Sequence, residues 1–170
     1  ESSGYQDYIE RCRRLAASHA FVLVTDIADF YNQIYLHRLQ NALATAAPAK
    51  GDYSVALEDY LLALNASASK GIPVGPAASI VMAEAVMTDV DSFLTSSNLE
   101  HTRYVDDIRI FASLPSELDT LLQRLTEYLY DHHRLTPADH KTDILDTASF
   151  SAKYLDSPDL VEHQEAHQHL

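Results

Sequence analysis

Two adjacent acidic residues, Asp106 and Asp107, interrupt the strand-like segment TRYVDDIRIFA at 102–112. Their apolar and aromatic neighbours favour burial, where two like charges are costly unless cations neutralise them. A third acid, Asp26, follows the apolar, β-branched residues of FVLVTDI at 21–27, a pattern typical of a buried strand. Carboxylates with open coordination positions suit Mg²⁺, and two such ions can activate a hydroxyl and stabilise a leaving pyrophosphate. The alternative is that Asp-Asp only forms a turn and that Asp26 caps a helix.

The order of elements around these acids indicates how they would meet. It runs strand, helix, hairpin, helix, strand, at 21–27, from about 79, at 102–112, at 115–133 and at 142–147. This order predicts an α+β fold, a split β-α-β-β-α-β (ferredoxin-like) antiparallel sheet with helices on one face. There the end of the first strand and the hairpin tip share one edge of the sheet, which brings the three acids together. Further helices are predicted at 5–18, 31–46 and 55–65, the last two as insertions.

Composition limits the remaining possibilities. The chain has 170 residues, 46% of them hydrophobic and 22% charged, which fits one compact domain. No apolar stretch approaches the roughly 20 residues that cross a bilayer, and a single cysteine favours a reducing cytoplasm, so we expect a cytoplasmic protein without a membrane partner. The start lacks Met and a signal peptide, so an internal start is expected. A net charge of −13 argues against a simple nucleic-acid-binding surface.

Four segments, in order, resemble the palm motifs of reverse transcriptases: TDIADFYNQIYLH at 25–37, KGIPVGPAASIVMAEAVMTDVD at 70–91, YVDD at 104–107 and LTPADHKTDIL at 135–145. The resemblance implies a polymerase palm over 1–155, with core motifs at 25–145, and fingers and thumb outside this chain. Residues 156–170 would form an acidic, His-containing tail or the start of another region. The wording FYNQIYLH, GPAASIVMAE and RYVDD is most similar to bacterial abortive-infection and defence-associated reverse transcriptases, which implies a role in anti-phage defence.

The resemblance also implies roles for single residues. Asp26 and Asp106 would be shared ligands of two Mg²⁺ ions, or Mn²⁺ instead, with Asp107 as a third carboxylate and the main chain of Ile27 nearby. Lys141 would donate a proton to the departing pyrophosphate or stabilise its charge, the alternative being an ordinary surface lysine.

Nucleotide and nucleic-acid contacts are carried over in the same way. Tyr31, five residues after Asp26, matches the steric gate that favours deoxynucleotides, and Phe30 could exchange roles with it. Contacts to the nucleotide are further implied for Ala28, Asp29 and Gly75, and contacts to nucleic acid for Gly71, Arg103 and Tyr104. Arg103 and Arg109 could both touch a primer strand, the alternative being a partner carboxylate such as Asp29, which could itself be structural. Val74 stands where many relatives carry glutamine.

The predicted function is RNA-templated DNA synthesis from dNTPs, a nucleotidyl transfer with an RNA template and a DNA primer or product as partners. Fingers and thumb regions, or partner subunits, would complete the enzyme. Alternatives are a template-independent or protein-primed polymerase of the same family, a palm-fold nucleotide cyclase, and a non-catalytic interaction module. The cyclase lacks support because YVDD replaces its GG(D/E)EF-type hairpin. A metal ion could be bound by His163, His167 and His169. A solvated polar tail is favoured, because no cysteine accompanies these histidines and no HExxH motif occurs.

Overall fold

The computed structural model describes residues 2–156, with side chains from Gly4 onward. The tail predicted at 156–170, apart from Asp156, and its three histidines lie outside the described residues. The helices are α1 (Ser2–Ser18), α2 (Phe30–Gln33), α3 (Leu36–Ala46), α4 (Gly51–Leu64), α5 (Ala77–Ser96), α6 (Pro115–His133) and α7 (Thr147–Tyr154). The strands are β1 (Phe21–Asp26), β2 (Glu100–Tyr104), β3 (Asp107–Ala112) and β4 (Asp143–Asp146).

The four strands form one antiparallel sheet in the order β2-β3-β1-β4. The two central strands are therefore β1 and β3, although about eighty residues separate them in sequence. With a helix before β2 and another before β4, this is the split β-α-β-β-α-β topology. The predicted α+β, palm-like fold is confirmed.

The chain divides into two compact units, described in turn. The first comprises residues 2–26, 94–125 and 137–156, and it contains the whole sheet. Helices α1 and α7 contribute to a hydrophobic cluster with one face of that sheet, made of Tyr8, Ile9, Cys12, Val22, Val24, Phe111, Phe150 and Leu155. The opposite face carries Leu23, Ile108 and Ile110, all fully buried. The two central strands are therefore buried on both faces.

The second unit comprises residues 27–93 and 126–136 and holds α2, α3 and α4. The single helix predicted from 31 to 46 is wrong, because the chain breaks at Ile34 and Tyr35 between α2 and α3. The loop at 69–71 takes the hydrogen bonds that a continuous helix would use. Gly71 N–H donates to Ile34 O at 2.9 Å, and Leu36 N–H donates to Ser69 O at 3.0 Å. Tertiary pairing thus overrides the helical pattern.

Helix α7 was missed by the sequence analysis. Asp146, the last residue of β4, is its N-cap and accepts hydrogen bonds from the main-chain N–H of Ser149 at 2.9 Å and from its hydroxyl at 2.7 Å. The DTAS sequence at 146–149 was the available capping signal. Across residues 2–156, every helix is too short or too polar to span a bilayer.

Candidate active site

The three acids lie at one edge of the sheet, all within the first unit. Asp26 is the last residue of β1 and is paired with Asp107, the first residue of β3. Asp106 lies between Tyr104 and Asp107, in a hairpin loop of only two residues. The structure therefore brings together the strand-end acid and the acid pair, as the topology predicted.

The hairpin tip has an unusual backbone. Val105, the first loop residue, has a φ of 56°, a region that β-branched residues rarely adopt. Its carbonyl oxygen accepts a hydrogen bond from Arg103 Nη1 at 2.7 Å, and its side chain is buried. Such strain persists only where surrounding contacts hold it. The Arg103 hydrogen bond and the burial of Val105 are the contacts that hold this turn.

Asp26 is held from two sides. Its main-chain oxygen accepts from Ala138 N–H at 2.8 Å, and its carboxylate accepts from Lys141 Nζ at 3.0 Å. Lys141 ends a 3-10 turn at Asp139–Lys141, just before β4. The hydrogen bond to Asp26 raises the pKa of Lys141, with smaller contributions from the charges of Asp26 and Asp106. The ammonium of Lys141 therefore supplies a positive charge beside Asp26.

The pKa of Asp106 is shifted by burial and by the charges around it. Burial raises its pKa above the ordinary aspartate value, and the nearby charge of Asp26 raises it further. Lys141 works in the opposite direction but does not cancel these effects. The carboxylates of Asp26 and Asp106 repel each other, and the ammonium of Lys141 offsets only part of this repulsion. A divalent cation bound here would stabilise the pair.

Asp107 is engaged differently from the other two acids. Arg109 donates to both of its oxygens, from Nη1 to Oδ1 at 2.6 Å and from Nη2 to Oδ2 at 2.9 Å. The hydroxyl of Tyr8 also donates to Oδ2, at 3.1 Å. Arg109 is 6% exposed and has a carboxylate partner, as one of the two alternatives expected, but that partner is Asp107 and not Asp29. The signal was present in the sequence, because residues two apart in a strand lie on the same face.

A cavity of about 470 Å³ lies on the α1 and α7 side of this edge. Asp26, Asp107, Arg109 and Lys141 line it at the sheet, and its apolar wall includes Tyr8, Cys12, Phe150 and Tyr154. The ring of Tyr104, predicted to contact nucleic acid, packs 5.2 Å from that of Tyr5 and 5.9 Å from that of Tyr8. Arg103, with the same predicted role, donates to the hairpin turn.

The donor set at this edge fits Mg²⁺. Within residues 2–156, no group of three or more His, Cys, Asp or Glu side chains is arranged to hold a metal ion. Asp107 accepts from Arg109 through both oxygens, whereas Asp26 accepts from Lys141 through Oδ2, and Asp106 lies close enough to feel the charge of Asp26. Mg²⁺ is commonly bound by one or two carboxylates together with water and substrate phosphates, so two such ligands are sufficient.

The residues predicted to bind the nucleotide lie in the second unit. Asp29 has a φ of 51°, and its carboxylate accepts from Asn32 Nδ2 at 2.6 Å and from Gln33 Nε2 at 2.9 Å, hydrogen bonds that lower its pKa. Ala28 N–H donates to Thr136 O at 2.9 Å, so that donor is already used. Ile27 and Phe30 are each 2% exposed, and the ring of Tyr31, 5.6 Å from that of Phe30, is half-buried.

The loop before α5 contains the other predicted contacts. Gly71 and Gly75 have φ values of 100° and 110°, which explains glycine at both positions. Val74, between them, is 71% exposed, and its side chain offers no hydrogen bond. Gly75 has no atom within 4 Å of the place where a Cβ would stand. The surface of the loop is therefore open.

Sequence comparison agrees with this architecture. An antiparallel palm-like sheet that presents acids at a strand end and an adjacent hairpin tip is the arrangement of nucleotidyl-transferring polymerases. A family model described as reverse transcriptase (RNA-dependent DNA polymerase) matches residues 2–156, and the chain belongs to this family. A search of curated proteins found no match to this chain.

Proposed function

We propose that residues 1–155 form the catalytic palm of a reverse transcriptase that extends DNA from dNTPs by two-metal nucleotidyl transfer. The observation that carries this proposal is the placement of Asp26 and Asp106 at one edge of the sheet, close enough for each other's charge to matter. Membership of the reverse transcriptase family supports it. Fingers and thumb would come from further segments or from partner subunits.

The proposed mechanism assigns separate tasks to the residues of this edge. Asp26 and Asp106 would hold two Mg²⁺ ions, or Mn²⁺ ions, through their carboxylates. Divalent ions bound there would activate the attacking 3′-hydroxyl and stabilise the leaving pyrophosphate. Lys141 carries a positive charge on Nζ, which the raised pKa favours, and it would stabilise the charge of the departing pyrophosphate or donate a proton to one of its oxygens. The ammonium now paired with Asp26 would thus act late in the reaction.

The substrates are proposed on the motifs. The dNTP would lie against the ring of Tyr31 as steric gate, with Asp29, Ala28 and Gly75 as further contacts. An RNA template and a DNA primer would contact Arg103, Tyr104 and Gly71. The wording of the motifs, which is most similar to defence-associated relatives, supports a role in anti-phage defence.

A second candidate is a template-independent or protein-primed polymerase of the same family. The side chain of Val74, 71% exposed, cannot form the hydrogen bond that a glutamine would offer at this position. The net charge of −13 also disfavours a long contact with a nucleic-acid duplex. Both observations favour a synthesis that depends less on a template.

The test is incorporation of labelled dNTPs with Mg²⁺, either on a primed RNA template or with no nucleic acid. Template-dependent incorporation that is lost in Asp106→Asn supports the first proposal, and untemplated incorporation supports the second. Asp119→Asn, an exposed aspartate on α6 in the same unit, is the matched control and should retain full activity. Incorporation that survives Asp106→Asn would contradict a catalytic palm.

A further inference from the structure

The ion pair between Asp107 and Arg109 is the starting observation. Both oxygens of Asp107 accept from the guanidinium, at 2.6 and 2.9 Å, in a two-pronged geometry that fixes the relative orientation of the two groups. Tyr8 on α1 adds a third hydrogen bond to the carboxylate. Asp107 therefore has three donors from the protein.

Arg109 lies in an environment that makes this pair hard to open. Its side chain is 7% exposed, and Nη1 also donates to the main-chain oxygen of Ile108 at 3.0 Å. Its Cζ lies 5.3 Å from the centre of the Tyr154 ring on α7. Separating a buried pair leaves an uncompensated charge in the interior, which is strongly unfavourable. Metal ligation by Asp107 would require that separation.

The hairpin connects this pair to Asp106. Only Val105 and Asp106 lie between Tyr104 on β2 and Asp107 on β3, so the turn has little freedom once its ends are fixed. Arg103 holds the strained Val105 from the β2 side, with a hydrogen bond of 2.7 Å to its carbonyl. The Arg109–Asp107 pair holds the β3 side. Arg103 and the Arg109–Asp107 pair thus hold the two ends of the turn, and the turn sets the orientation of the Asp106 carboxylate.

We propose that Arg109 is a positioning residue that orients Asp106 through its ion pair with Asp107, and that Asp107 is its anchor rather than a metal ligand. This inference rests on the proposed function, since it concerns the same carboxylates. It divides the Asp-Asp doublet into one residue that binds the cation and one residue that holds the first in place.

The first test measures Mn²⁺ binding to the 170-residue chain, followed as the loss of the free-ion electron paramagnetic resonance signal. We expect Asp106→Asn, which removes a ligand, to weaken Mn²⁺ binding by about 100-fold or more, and Asp107→Asn, which only disturbs the position of that ligand, to weaken it by about tenfold. Asp119→Asn should equal wild type. Equal losses in Asp106→Asn and Asp107→Asn would overturn the inference while leaving the proposed function intact. No difference between Asp106→Asn and wild type would contradict the proposed function itself.

The second test separates positioning from simple stabilisation. In Asp107→Asn/Arg109→Gln both charges are removed, so no unpaired buried charge remains. We expect kcat to fall about 10- to 100-fold, with KM for the dNTP within about threefold, because the aim of Asp106 changes but the nucleotide contacts do not. Arg109→Lys keeps the charge and loses the two-pronged geometry, and it should show a smaller fall in kcat. If the double variant does not fold, Arg109→Lys alone tests the positioning role. An unchanged kcat in Arg109→Lys, or an equal change in kcat and KM, would overturn the positioning role.

Discussion

We expect the Asp106 carboxylate to be required for activity but to lower the stability of the folded protein. This carboxylate is partly buried beside Asp26, so the folded state bears a repulsion that the unfolded chain does not. The isosteric change Asp106→Asn removes this repulsion. We expect the melting temperature to equal or exceed that of wild type, while dNTP incorporation falls by more than about a hundredfold. Calorimetry and extension assays on one preparation provide the comparison, and a clear loss of stability would contradict this account of the site.

Tyr31 is expected to control discrimination between sugars. If its ring occupies the space of a 2′-hydroxyl, Tyr31→Ala should raise ribonucleotide incorporation relative to deoxynucleotide incorporation by about 10- to 100-fold. Tyr31→Phe keeps the ring and should leave the ratio unchanged, which makes it the matched control. Single-nucleotide extension with dNTP or rNTP measures the ratio. A ratio unchanged in Tyr31→Ala would contradict the gate.

At the level of residues, the sequence was informative where chemistry is local. The meeting of Asp26 and the Asp-Asp doublet at one edge followed from the topology. The need for a cation beside them followed from the repulsion between like charges. The sequence left a carboxylate partner for Arg109 as one of two alternatives and named Asp29 for it, although the spacing of Asp107 and Arg109 in a strand places those two on one face. The contribution of Tyr8 depends on how α1 packs against the sheet, and no local pattern reveals that.

Among the elements, α5 and α6 are joined by a buried histidine. His133 Nε2 lies 2.9 Å from Asp89 Oδ2, and the hydroxyl of Tyr128 donates to the same oxygen at 3.2 Å. Burial opposes ionisation of Asp89, but the hydrogen bonds from His133, Tyr128 and the N–H of Val90 lower its pKa overall. A carboxyl whose pKa is lower in the folded state stabilises above its unfolded pKa, near 4, and loses that contribution as pH falls.

The stability of wild type should therefore exceed that of Asp89→Asn by about 0.5 to 1 kcal/mol above pH 5, a figure reduced for the 44% exposure of the carboxylate. The difference should shrink toward zero as pH falls to about 3. Urea unfolding across this range measures it. A difference that does not depend on pH would show that the charge of Asp89 contributes nothing.

The loop before α5 allows a matched comparison of two glycines. Gly75 has a φ of 110° and Gly51, in the first turn of α4, has a φ of −53°, and no atom lies within 4 Å of a Cβ at either position. Any effect of alanine is therefore conformational. Gly75→Ala should destabilise by about 1 to 2 kcal/mol, whereas Gly51→Ala should stabilise by about 0.4 to 1 kcal/mol. Thermal unfolding distinguishes the signs, and equal shifts would contradict the assigned backbone.

Elements with a strong period were the most predictable. The span of α6 was predicted at 115–133 and is confirmed, since Pro115 begins it and leucines recur along one face. The break between α2 and α3 was missed because its cause, the pairing of Tyr35 with Lys70, is thirty-five residues away in sequence. Helix α7 was missed because its only signal was the cap at Asp146.

For the whole molecule, charge sets the limit on nucleic-acid binding. Lysine and arginine number 12 against 25 acidic residues, so few phosphates can be neutralised at once. We expect the affinity of this chain for a labelled RNA–DNA hybrid to fall with salt at a log–log slope shallower than about −3, because the slope grows with the number of phosphate contacts. Fluorescence anisotropy between 50 and 200 mM KCl, concentrations typical of such titrations, gives the slope. A slope near −6 would reveal a concentrated basic surface.

The position of Cys12 gives this protein a built-in reporter. Cys12 lies on the buried face of α1 and is 1% exposed, and burial raises the pKa of its thiol to about 11, so almost no thiolate is present at neutral pH. Alkylating reagents should therefore modify it only when α1 leaves the sheet. Because the same helix carries Tyr8, which donates to Asp107, the alkylation rate would report how often this edge of the sheet becomes exposed, without any engineered probe.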